Sequence, residues 1–168
     1  AQSGRRQLIH MRSKPAPKRT ILPDPVYNHR LVTKLINRSL KDGKKTVAQK
    51  QIYAAFSLIK DQSKQDPLPV FLTALDNIKP QMEVRSRRIG GAAYQVPSPV
   101  RGVRQESLAI RWLILAAQDR SSSQYHSYGA KLAAEIMDAF NSSGGAVKKK
   151  LDIHRMAEAN KAFAHFRW

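Results

Sequence analysis

Apolar residues recur along most of this chain at helical spacing, and one stretch alternates instead. Leu31, Val32, Leu35, Ile36 and Leu40 fall three or four apart, the stripe of a helix that buries one face, and Asp42-Gly43 stops it. Asp24-Pro25 supplies a helix start, a carboxylate cap followed by proline in the first turn, with Asn28 as the rival cap. Val47, Ile52, Tyr53, Phe56 and Ile59 make a second stripe, ended by the polar run 61–65. Asp66-Pro67 opens a third helix carrying Val70, Phe71, Leu75 and Ile78, and Pro80 closes it.

The period then changes. Met82, Val84, Ser86 and Arg88 alternate with Glu83, Arg85 and Arg87; Gly90-Gly91 follows, and 92–96 can return before Pro97 and Pro99. That pattern predicts a β-hairpin over about 82–97 with its tip at the glycines. Helical spacing resumes with Leu108, Trp112, Leu115 and Ala116, and 120–128 is a Ser-rich loop. Ile136, Met137 and Phe140 mark a fifth helix, and 141–145 breaks it. The last helix is expected from about Ala146 toward Phe166, with Val147, Leu151 and Phe163 turned inward. Residues 1–20 hold two prolines and several arginines and lysines but no acid, and read as an arm, extended when free. Residues 21–168 then form one helical domain with a protruding two-stranded arm.

Charge changes the picture more than size does. The 168 residues include 30 Lys and Arg against 12 Asp and Glu, a net charge of +18, while a hydrophobic content of 42% suffices for one core. Such a field repels itself, and a polyanion, most simply nucleic acid, relieves it. Three basic blocks, 1–60, 83–104 and 146–168, are separated by two near-neutral segments, 61–82 and 105–145. The neutral segments read as scaffold and the basic ones as working surface. The absence of Cys excludes disulfides, thiolate metal sites and a cysteine nucleophile. No apolar run approaches the ~20 residues of a membrane span, and no signal-peptide core is present.

Gly43-Lys44-Lys45 follows a helix and lacks P-loop spacing, so phosphate contact is a better reading than nucleotide binding. Arg85, Arg87 and Arg88 beside Gly90-Gly91 repel one another, and the hairpin reads as a finger laid along RNA. Lys148-Lys149-Lys150 opens the last helix, where each cation opposes the macrodipole by ~0.3–1 kcal/mol, a local cost that points to function. On that helix Lys148, Lys149, Arg155 and Lys161 form the outer rank. His154 with Asp152 and Glu158 reads as an ordinary helix-surface contact rather than an acid–base set, and the five histidines show no ligand spacing. Tyr94 and Trp168 are the exposed aromatics; Phe56, Phe71 and Trp112 look like core. Ser121–Ser123 lacks the flanking glycines of a nucleophile elbow. No nucleophile, base and orienter converge. An RNA-processing enzyme built on His154 is therefore the weakest alternative, and a helical DNA-binding regulator is the other.

Several strings resemble ribosomal protein seven of the small subunit, in its bacterial and organellar branch. They are Ile21-Leu22-Pro23-Asp24-Pro25, Asp42-Gly43-Lys44-Lys45, Glu83–Gly91 with Tyr94-Gln95-Val96-Pro97, Ala109-Ile110-Arg111-Trp112 and the closing run His154–Trp168. They occur in register from about residue 18 onward. Gln51-Ile52 departs from the pattern, standing where the family usually has two apolar residues, and the stretch 118–128 is longer and less basic.

The resemblance implies a mainly α fold, a six-helix bundle with a β-hairpin arm between the third and fourth helices. It implies a primary binder of small-subunit rRNA that nucleates assembly of the head. Contacts with rRNA are expected from Lys18, Arg19, Arg38, Lys44, Lys45, Arg101, Arg104, Arg111, Lys148, Lys149, Lys150 and Arg155. Arg85, Arg87, Arg88, Gly90, Gly91 and Tyr94 of the hairpin are expected near the exit-site tRNA and the mRNA. Small-subunit proteins nine, eleven, thirteen and nineteen are the expected neighbours. No cofactor, metal or membrane is implied. The location is the ribosome, in a bacterial cytoplasm or a mitochondrial or plastid matrix, the acid-free arm beginning at Ala1 suiting either.

Overall fold

The computed structural model describes residues 20–166. Six helices run in the order α1 (Arg30–Ser39), α2 (Lys45–Ser63), α3 (Pro67–Ile78), α4 (Val103–Asp119), α5 (Tyr128–Phe140) and α6 (Gly144–Ala159). Strands β1 (Met82–Ile89) and β2 (Ala92–Pro99) stand between α3 and α4, and a 3₁₀ helix, Lys161–Phe166, follows α6. The fold is thus mainly helical, with the arm where alternation in the sequence puts it. Lys18, Arg19, Arg167 and Trp168, with the rest of 1–19, lie outside the described residues.

Helix α5 sits in the middle, against α2, α3, α4 and α6. Its inward stripe is Leu132, Ala133, Ile136 and Ala139; α2 presents Ile52, Ala55, Phe56 and Ile59, and α3 presents Val70, Phe71, Ala74, Leu75 and Ile78. Each large side chain buried there contributes about 1.5–3 kcal/mol. The rings of Phe56 and Phe71 meet at 5.4 Å. Asp66 caps α3 by accepting from Leu68 N–H, with Pro67 next, in keeping with the sequence pattern.

Gln51 stands where the resemblance leads to an apolar residue, and in the structure it has a polar partner on α5. Its Oε1 accepts the Gly129 N–H at 3.0 Å, satisfying a first-turn donor of α5. Gly129 lies so close to α2 that a Cβ would meet Gln51 O at 2.9 Å. Alanine usually improves a helix over glycine by ~1 kcal/mol. Here the sign reverses: Gly129→Ala is expected to destabilise by about 1–3 kcal/mol, read as a lower denaturation midpoint at unchanged slope.

Several expectations need correction. Asp24 does not cap α1. Its Oδ2 accepts from Val26 N–H and Tyr27 N–H at 3.1 and 3.2 Å, and Tyr53 Oη donates to its Oδ1 at 2.9 Å. The carboxylate, on a residue only 2% exposed, closes a turn whose Pro25 and Val26 face solvent. Burial and that hydrogen bond push the Tyr53 phenol up to about 12. Asn28 is not the cap either; it takes a left-handed φ of 46°, and α1 starts at Arg30 with His29 Nδ1 accepting from Leu31 N–H.

In α2 the inward position is Ala48, and Val47 points to solvent. Leu115 is likewise exposed on α4, where Leu113 and Ala117 take the core positions.

The last helix is shorter than expected. Asn160 stops it, its Nδ2 donating to Met156 O at 2.8 Å, and the chain continues as 3₁₀. Leu151 is 55% exposed, and the Phe163 ring lies on the hairpin rather than in the core.

The hairpin is not wholly free of apolar burial. Its tip pairs Ile89 with Ala92 across Gly90-Gly91, whose φ of 56° and 89° suit a tight two-residue turn. At its root Val96 and Pro97, which point to opposite faces, are both buried, and Val100 N–H donates to Gln81 O.

Candidate nucleic-acid interface

Cations divide into those spent inside the protein and those left outward. Lys34 and Arg30 pair with Glu106, tying α1 to α4. Arg38, in the last turn of α1, is exposed and sits at the helix end that favours a cation. Lys44 and Lys45 follow at the entrance of α2, presented by a turn in which Asp42 and Gly43 take φ of 50° and 73°. All three carry no ion pair among the described residues.

The hairpin repeats the division. Glu83 is buried at the root, where Arg85 pairs with it and Arg104 donates through Nε and Nη2 at 3.1 and 2.9 Å. Arg85 and Arg104 therefore neutralise a buried carboxylate. Arg87 and Arg88 lie on the exposed outer half, beside Gly90 and Gly91, and have no such partner among the described residues. Tyr94 is not an exposed stacking surface: its ring lies 5.3 Å from Phe163 and 5.5 Å from Phe166. Arg101 is exposed at the joint before α4. Arg111 is half-buried on α4, and its buried Nε has no acceptor among the described residues.

On α6, Lys148 and Lys149 are exposed, whereas Lys150 Nζ donates to Asn77 O at 2.8 Å and caps the end of α3. Arg155 is largely in solvent, 4.0 Å from Asp152. Lys161 is exposed on the 3₁₀ helix.

The residue that explains this helix end is Glu135, which sequence reasoning missed. It is 1% exposed; its Oε1 accepts the Ala146 N–H at 2.9 Å and its Oε2 accepts from Arg120 Nε at 2.7 Å. Arg120 also pairs with Asp138. A carboxylate thus lies at the N-terminus of α6; because the helix starts at Gly144 and not at Ala146, the three lysines do not open it but stand in its second turn, past most of the dipole's reach. The signal was present, a Glu on the apolar stripe between Leu132, Ile136 and Ala139.

His154 is more than a contact within its own helix surface. Its Nε2 accepts the Gln81 N–H, 73 residues away, at 3.1 Å. No cluster of three or more His, Asp and Glu able to hold a metal occurs among the described residues. No helix there is long and apolar enough to cross a membrane.

A helical scaffold with its spare cations turned outward on helix ends and on one arm defines a nucleic-acid-binding class. Comparison gives the family. Residues 11–161 match the model of ribosomal protein S7p/S5e, and the chain belongs to that family, which is structural and not enzymatic. It is 57% identical over 157 residues to small ribosomal subunit protein uS7 of Carboxydothermus hydrogenoformans. The identity is 58% with the protein of that name from Caldanaerobacter subterraneus subsp. tengcongensis and 56% with that of Lawsonia intracellularis. Each match covers 94% of this chain and 99% of the relative.

Proposed function

We propose that the protein is a structural component of the small ribosomal subunit that binds rRNA directly and acts in translation. Residues 1–20 form its basic arm and 21–168 its single folded domain. The observation that supports this best is the division of the cations. Arg30, Lys34, Arg120 and Lys150 hold the fold together, while Arg38, Lys44, Lys45, Arg87, Arg88, Arg101, Arg111, Lys148 and Lys149 are left for phosphates. Lys18, Arg19 and Arg155 belong to the same rRNA-facing set. Arg85 and Arg104 reach rRNA only with the part of the guanidinium that Glu83 does not occupy.

Binding nucleates the head of the subunit, and the hairpin, with Arg87, Arg88, Gly90 and Gly91 at its end, lies near the exit-site tRNA and the mRNA. Tyr94 serves there by holding the arm. Small-subunit proteins nine, eleven, thirteen and nineteen are its neighbours, and no cofactor takes part.

Competition at fixed salt between the head domain of small-subunit rRNA and duplex DNA of equal length tests the reading, since lysine-driven affinity alone is indifferent to shape. The rRNA is expected to win; equal competition would favour a DNA-binding regulator. Arg87→Ala with Arg88→Ala is expected to leave the melting temperature unchanged, both being exposed on the arm, and to weaken tRNA retention by assembled subunits.

A further inference from the structure

An isolated two-stranded ribbon is marginally stable and has no fixed direction of its own. This one is held at two levels by the last turns of the chain. At its root, His154 Nε2 accepts the N–H of Gln81, whose own carbonyl accepts from Val100 N–H across the base of the hairpin. Higher up, Tyr94 rests against Phe163 and Phe166. The 3₁₀ geometry makes this second hold. With three residues per turn, positions i and i+3 eclipse, so both phenyl rings leave the same side, 15° from parallel and 6.5 Å apart. An α-helix continued past Asn160 would offset them. Tyr94 pairs directly across the ribbon with Arg87, so whatever fixes Tyr94 also fixes the cation opposite.

We propose that residues 154–166 form a strap that sets the direction of the hairpin arm, with His154 as a positioning residue whose grip is released by protonation. The use of that direction, presenting Arg87 and Arg88 to RNA, rests on the reading above; the strap itself does not.

Protonation matters because a neutral imidazole nitrogen accepts a hydrogen bond and an imidazolium does not. Burial first, then Lys150, hold the His154 pKa below the ordinary 6.5, with Glu158 opposing. From the 3₁₀ helix, Lys161 faces the same recess; the hairpin side brings only Gln81, Met82 and Pro97, none of them titratable. Lys79, just before Gln81 at the end of α3, is paired with Asp76. A depressed folded pKa means that the grip is complete above 6.5 and is lost as pH falls through the folded value.

The chain has no cysteine, so Ala92→Cys at the hairpin tip and Ser57→Cys on the exposed face of α2 allow a spin-label pair in the full-length protein. Their distance distribution is measured from about pH 8 to about pH 5, the range over which histidine titrates. One narrow peak is expected at high pH and a broad one at low pH. His154→Gln, whose carboxamide oxygen accepts at any pH, is expected to stay narrow throughout. His154→Leu is expected to be broad throughout, and Phe163→Ala with Phe166→Ala broader at high pH, at unchanged helical circular dichroism.

A narrow peak in His154→Leu, or a pH response that persists in His154→Gln and so belongs to another group such as His165, would overturn His154 as the releasable grip; narrow peaks in both His154→Leu and Phe163→Ala with Phe166→Ala would overturn the strap. rRNA affinity of the same variants separates the two claims. If the arm loosens and affinity holds, the strap stands and RNA contact by the arm fails. If Arg87→Ala with Arg88→Ala weakens binding while His154→Leu and the double phenylalanine variant both keep the arm narrow, the reverse is true.

Discussion

Glu135→Ala is expected to lower the stability of the domain by about 3–5 kcal/mol, because it removes the buried one of the two carboxylates that hold Arg120 and uncaps a helix in one step. Arg120 is pressed between α4 and α5 with a side chain 17% exposed, and Glu135 is its buried counter-charge. The Ala146 N–H, itself buried, loses its acceptor at the same time. For a domain of this size the loss corresponds to a fall in melting temperature of roughly 6–20 °C. Glu135→Gln separates the two contributions. Its carboxamide oxygen still accepts from Ala146, while Arg120 keeps Asp138 alone, so about half the loss is expected. If Glu135→Ala melts with the unsubstituted protein, the network is ornamental.

Much of the fold was legible because helices report themselves locally. Leu31, Val32, Leu35 and Ile36, or Val70, Phe71, Leu75 and Ile78, state a face within a few turns, and the change of period at Met82 states a strand. What failed needed distant partners. Asp24 has the look of a cap, but Tyr53 and its own turn take both carboxylate oxygens. Phe163 continues a helical spacing, yet the asparagine before it ends the helix and the ring is claimed by Tyr94.

The interface shows the same limit more sharply. That the surface is cationic follows from composition. Which cations are spent does not, since Arg104 and Glu83, or Lys150 and Asn77, are far apart in sequence and meet only through packing. Periodicity identifies faces and is silent about pairs.

The three lysines of α6 put that distinction to the test in one helix. Lys148 and Lys149 are exposed in the second turn of α6, past the first turn in which a cation opposes the helix dipole, and neither makes an ion pair among the described residues. Lys148→Ala with Lys149→Ala is therefore expected to leave the melting temperature unchanged. Lys150 differs: its ammonium holds the last carbonyls of α3 through Asn77 O, and a hydrogen bond from a charged donor contributes about 1.5–3 kcal/mol. Lys150→Ala is expected to melt several degrees lower. Affinity for rRNA is expected to sort the same variants in the opposite order. If six to ten phosphates are neutralised in all, binding weakens by about 10³–10⁵ between about 50 and 200 mM salt. Each lost contact then lowers the slope of log affinity against log salt by about 0.7–0.9. The double variant should lose roughly two such steps, and Lys150→Ala almost none once it is compared at a temperature where both are folded. Isothermal titrations across a salt series, paired with thermal melts, read both axes. A Lys150→Ala protein of full stability and reduced slope would place that ammonium on RNA instead of on α3. A double variant that binds with an unchanged slope would remove the N-terminus of α6 from the interface.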